Sequence, residues 1–121
     1  MDTALWIVQI LMALVFLLTG AMKLIIPREK AMERAPYCED YTQRQLHLIG
    51  IVEILGALGL VLPAVTGILP WLTPLAAVGL ALVMVGAIRT HLRRGENIIG
   101  NVILLLLSLF VAYGRFFVEQ L

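Results

Sequence analysis

Four apolar stretches separated by short polar connections organise this chain: Leu5–Ile26, Leu46–Leu62, Leu72–Ile88 and Ile98–Val118. A helix that crosses a bilayer needs roughly 17–25 mainly apolar residues, and all four stretches reach that length. The pattern predicts an all-α, integral membrane four-helix bundle in a single domain. Its spans fall near residues 4–26, 43–62, 74–92 and 98–118, with a polar loop over 27–42.

Start and stop signals set the boundaries. Thr42-Gln43-Arg44-Gln45 is a capping box, in which hydroxyl and amide satisfy free N–H groups. The second helix then begins near Gln43 and stops before Pro63. Thr73-Pro74 reads as an N-cap followed by a proline at the first helical position of the third span. Gly95 suits the left-handed position after that helix. Pro27 and Pro36 bracket a short charged helix over Arg28–Ala35, expected at the membrane surface.

Composition sharpens the class. The chain has 121 residues, is 61% hydrophobic and has a mean hydropathy of +0.98. A soluble domain would be nearer half apolar. A net charge of +1 argues against nucleic-acid binding. Cys38 is the single cysteine, so neither an internal disulfide nor dithiol chemistry is available. Asp2 and the long first apolar run fit a retained span rather than a cleaved signal peptide.

Charge distribution predicts orientation. Lys23, Arg28, Lys30, Arg34 and Arg44 lie at or between the first two spans, and Arg89, Arg93 and Arg94 between the last two. Only Arg115 lies on the other side. Basic loops favour the cytoplasm, so an up-down-up-down bundle with N-out and C-out termini is expected. Trp6, Trp71, Tyr113, Phe116 and Phe117 would then form the outer aromatic belt.

Residues three and four apart share a helix face. The first span carries Gln9, Met12, Phe16, Thr19 and Lys23 on one stripe; the second carries Gly50, Glu53, Ala57 and Leu60. The third offers Ala76, Gly79, Val83, Gly86 and Thr90, and the fourth Asn97, Asn101, Leu104, Ser108 and Arg115. Turning these stripes inward is the simplest bundle, because small residues let membrane helices approach closely. Gly59, Gly67, Gly79 and Gly86 also leave surface for a homo-oligomer.

Glu53 is the leading functional candidate, because a carboxylate at membrane depth costs a few kcal/mol and usually faces a partner, a ligand or water. At 1.5 Å per residue it lies roughly 10 Å inside the boundary, and Lys23 about 4–5 Å inside. Lys23, Glu53, Asn101 and His91 are the candidate ligand-binding residues of one pocket opening near the cytoplasmic leaflet, with Thr90 and Asn97 at its rim. Two readings of Glu53 stay open: a structural ion pair with Lys23, or a ligand anchor or proton acceptor. Lys23 also has the option of snorkelling to lipid phosphates. His47 and His91 fit interfacial hydrogen bonding better than haem ligation, and Asn97 suits a helix cap. No catalytic group and no metal site is evident.

Phe16-Leu17-Leu18-Thr19-Gly20-Ala21-Met22-Lys23-Leu24, Glu53-Ile54-Leu55-Gly56-Ala57-Leu58-Gly59-Leu60 and His91-Leu92-Arg93-Arg94-Gly95-Glu96 resemble the DoxX-like family of small four-span bacterial membrane proteins. The resemblance implies Lys23 and Glu53 as the family site, a bacterial inner (plasma) membrane location, a redox partner protein and a quinone as possible cofactor. The chain lacks the cysteine pairs of redox-active relatives. Together these features point to a non-catalytic membrane subunit or binding module for a lipophilic ligand, a quinone or lipid, in a redox-associated complex. The alternatives are a proton-coupled small-molecule transporter and a membrane-protein assembly factor.

Overall fold

Both capping-box bonds form at Thr42. Its hydroxyl accepts from the Gln45 N–H at 3.1 Å, and its own N–H donates to Gln45 Oε1 at 3.0 Å. From there helix α3 (Gln43–Thr66) runs through the membrane-length apolar segment in the computed structural model, which describes residues 1–121. The other long helices are α1 (Asp2–Ile25), α4 (Leu72–Arg93) and α5 (Ile99–Tyr113). The short α2 (Arg28–Arg34) and a 3₁₀ turn (Pro36–Asp40) lie between α1 and α3. There are no strands, and the four long helices are each long and apolar enough to cross a membrane.

Helix α1 packs against α3, α3 against α4, and α4 against α5, while α5 touches α1 less extensively. The core holds Met12, Phe16, Ala57, Leu60, Ala77, Leu80, Met84 and Val111. Gly20 and Gly50 set the closest approach. A Cβ on either would stand 2.7–2.8 Å from the other's carbonyl oxygen, so only glycine fits. This crossing holds Lys23 on α1 beside Glu53 on α3.

Two boundaries differ from the sequence expectation. Helix α3 continues past Pro63 for one turn, to a left-handed cap at Gly67 with φ of 72°. Proline has no N–H and its ring pushes against the carbonyl four residues earlier. That carbonyl, on Gly59, accepts instead from the Thr73 hydroxyl at 2.9 Å. The next carbonyl, on Leu60, accepts from the buried Gln9 amide at 2.6 Å. Thr73 is therefore not the N-cap of α4, which begins earlier, at Leu72. Gly95 does take the left-handed conformation, with φ of 69°.

The inward stripes of α1 and α3 match the expected ones. That of α4 matches only in part: Thr90 is buried as expected, but Ala77, Leu80, Ala81 and Met84 are buried in preference to the half-buried Ala76, Gly79 and Val83, and Gly86 is exposed. A small residue is tolerated by lipid as well as by a neighbouring helix, so small size alone does not fix the inward face. Of the four glycines considered for self-association, Gly59 already packs against Ala76 within the bundle and Gly67 serves as a cap.

Candidate functional site

Lys23 and Glu53 form a buried ion pair. Their side chains are 5% and 3% exposed, and Lys23 Nζ donates to Glu53 Oε1 at 2.6 Å. Thr19, one turn before Lys23, donates its hydroxyl to Glu53 Oε2 at 2.9 Å. Both carboxylate oxygens are thus satisfied by α1. The Lys23 ammonium also sits 5.7 Å from the centre of the Tyr37 ring, within cation–π range.

This pair stands in the wall of a cavity of about 290 Å³. All four side chains expected at the site, Lys23, Glu53, Asn101 and His91, line that one cavity. Its apolar lining comes from Phe16, Ile49, Val83 and Leu104, among others. The Asn101 amide has only a long contact, 3.8 Å to Met84 Sδ. His91 Nδ1 is bonded to Glu96 at 2.8 Å. His47 pairs with Gln43 at 2.6 Å, one turn away on α3. Asn97 accepts from the Ile99 N–H at 2.8 Å in the turn just before α5, whose N-cap is Ile98 and not the Asn97 expected from the sequence.

The connection between α1 and α3 contributes more than the sequence suggested. It folds as a strap across the basic end of the bundle and places Tyr37 and Tyr41 in the cavity lining. Arg28 holds the strap, donating to the Tyr41 carbonyl at 2.6 Å and the Glu39 carbonyl at 2.9 Å. Tyr41 Oη and Thr90 Oγ1 are 2.7 Å apart, and Arg94 donates to Asp40 at 2.8 Å. Cys38 is fully buried with Ala31 and Leu46. Burial pushes the thiol up from its ordinary value, against the pull of the Lys23 charge. The Tyr37 phenol is raised for the same reason. The available signal was a pair of tyrosines four residues apart between Pro36 and the capping box. It does not reveal which way the loop folds.

A second polar cluster occupies the opposite end. Arg115, 3% exposed, donates from Nε to Gln9 Oε1 at 2.7 Å and from Nη1 to Asp2 at 2.7 Å. A π-helical turn over Gly114–Val118 extends α5 to that point. No group of three or more histidine, cysteine, aspartate or glutamate side chains is placed to hold a metal.

A family model described as DoxX-like matches residues 7–112 of the chain. No curated protein matches it, and no solved structure does.

Proposed function

The chain belongs to the DoxX-like family, and on that premise we propose that it is a non-catalytic membrane binding module for a small lipophilic molecule, a quinone or lipid, serving a redox-associated complex. The observation that carries this reading is the cavity beside the Lys23–Glu53 pair, apolar over most of its wall and polar at one end. Small-molecule sites have this composition, with few polar groups setting orientation within an apolar lining. What supports the redox association and the quinone is the family resemblance, and what supports a binding role is the cavity. In this reading the basic end faces the cytoplasm of a bacterial inner membrane, as the loop charges favour.

The test is native mass spectrometry of the protein released from its own membranes, with lipids and proteins identified together. Wild-type protein should carry a lipophilic molecule that Asn101→Ala loses while accumulating normally. A client membrane protein alone would favour an assembly factor. Solute flux in liposomes that Glu53→Gln abolishes would favour proton-coupled transport and overturn the proposal.

A further inference from the structure

We propose that the end of the bundle away from the basic loops carries a separate binding place, in which the Arg115 guanidinium receives a phosphate oxygen of a lipid headgroup. It lies at the opposite end from the Lys23–Glu53 pair and is independent of the function proposed for that cavity.

A guanidinium carries five N–H groups fixed in one plane and accepts nothing. Arg115 donates from Nε to Gln9 Oε1 at 2.7 Å, and from Nη1 to the Asp2 carboxylate at 2.7 Å and the Glu119 carbonyl at 3.1 Å. Its Nη2 is buried and has no partner. The Trp6 ring, centred 5.6 Å from the guanidinium carbon, attracts the charge but is no substitute for an oxygen acceptor. A buried donor on an ionised group is costly to leave unpaired, so the two hydrogens on Nη2 point to an acceptor from outside the chain.

Arg115 also lines a cavity of about 220 Å³, together with Pro70, Trp71, Pro74, Phe116 and Gln120. Trp71 is 55% exposed and Phe116 37%, so the cavity reaches the surface between the α3–α4 turn and the end of α5. Aromatic rings at the end of a span sit at headgroup level, where lipid phosphates lie. No aspartate or glutamate lines the cavity. Asp2 engages Nη1 and its side chain is 58% exposed, so water screens its charge while the buried Nη2 edge keeps a positive field. The acceptors in the wall itself, Gln120 Oε1 and the Leu121 carboxylate, stand beyond hydrogen-bond reach of Nη2. The planar edge of a guanidinium matches the oxygens of a phosphate. The volume falls below the about 300–1,000 Å³ of sites for drug-sized ligands, so it admits the phosphate and leaves the acyl chains on the lipid-facing surface.

The experiment titrates the full chain in detergent with phosphatidylglycerol and counts bound lipid by native mass spectrometry. Diacylglycerol with the same acyl chains is the probe that lacks phosphate. Wild type should retain one phosphatidylglycerol that diacylglycerol does not displace. Gln120→Trp, which fills the mouth from an exposed position, should weaken it at least about tenfold, the worth of a charge-assisted hydrogen bond. Arg115→Lys, which keeps the charge and loses the planar edge, should do the same. Arg34→Gln, at the basic end, should change nothing. If Arg115→Lys does not accumulate, Gln120→Trp decides alone. Equal retention by wild type and Gln120→Trp, or displacement by diacylglycerol, means that water serves Nη2 and overturns the proposal. Inorganic phosphate in excess should leave the lipid in place; displacement by it overturns a lipid as the source of the oxyanion. A gain in lipid binding when a Gly-Ser tail follows Leu121 would give the place to the Leu121 carboxylate, and that too overturns the proposal.

Discussion

The bundle buries one cation at each end, and the two ends treat it differently. At the basic end Lys23 meets Glu53 directly across the α1–α3 crossing, and a cavity lies against the pair. At the other end Arg115 reaches the carboxylate of Asp2, which is half exposed, and the neutral amide of Gln9. Gln9 in turn donates to the Leu60 carbonyl at the proline turn of α3. The Arg115 cluster ties three helices together, α1, α3 and α5. The Lys23 cluster ties two and leaves more room beside them. A buried polar network can thus serve as a joint, as the wall of a site, or as both.

The largest expected effect tests whether the Lys23–Glu53 pair is also a joint. Glu53→Ala leaves an unpaired ammonium and should destabilise the bundle by about 3–5 kcal/mol, read by unfolding in mixed micelles. Lys23→Met combined with Glu53→Leu should cost much less than the two single changes summed. Additive losses would mean the two side chains are not coupled, and the comparison of the two ends would break.

Gln9→Leu should come next, at about 1–3 kcal/mol, because it strips Arg115 Nε of its acceptor. No change in stability would show that Asp2 alone suffices for Arg115.

Gly20→Ala should cost a similar or smaller amount, about 1–3 kcal/mol, since its Cβ would stand 2.8 Å from the Gly50 carbonyl oxygen. It also forces α1 and α3 apart at Lys23 and Glu53, so ligand retention should fall with stability. A loss of stability alone would separate the crossing from the site.

The smallest effect belongs to the strap. Tyr41→Phe removes the bond to Thr90, worth about 1 kcal/mol, and should raise the rate of maleimide labelling at Cys38. The folded thiol and phenol have raised pKa values, so the packing of the strap is complete below their ordinary pKa values. It weakens as pH rises through the folded ones. Labelling that ignores pH beyond the intrinsic thiolate fraction would show that burial at Cys38 is not maintained in solution.

Periodicity made α1 and α3 legible because each carries a polar residue that hydrocarbon rejects, Gln9 and Lys23 on one, Glu53 on the other. Those residues fix the inward face, and Asn101 and His91 joined them at the same cavity. The face of α4 was legible only in part, Thr90 being buried but Ala76 and Gly79 only half so, because glycine and alanine carry no such penalty in lipid. The strap was not legible, since an irregular loop has no period and its position depends on contacts such as Tyr41–Thr90, 49 residues apart. The pairing of Gln9 with Arg115, 106 residues apart, was equally hidden. A single arginine at the end away from the basic loops reads as a topology marker until its partner is seen.

The hydroxyl that Thr73 lends to Gly59 bears on biogenesis. A backbone carbonyl with no partner costs several kcal/mol in hydrocarbon. While α3 leaves the insertion machinery alone, the carbonyl displaced by Pro63 has no donor within its own helix. It acquires one only when α4 arrives beside it. The two helices and the Gly67–Trp71 turn between them therefore form the smallest insertion unit on this side of the bundle, and they should partition into the bilayer as a hairpin. A chain ended after Gly67 should leave α3 poorly inserted, and one extended through Arg94 should restore it.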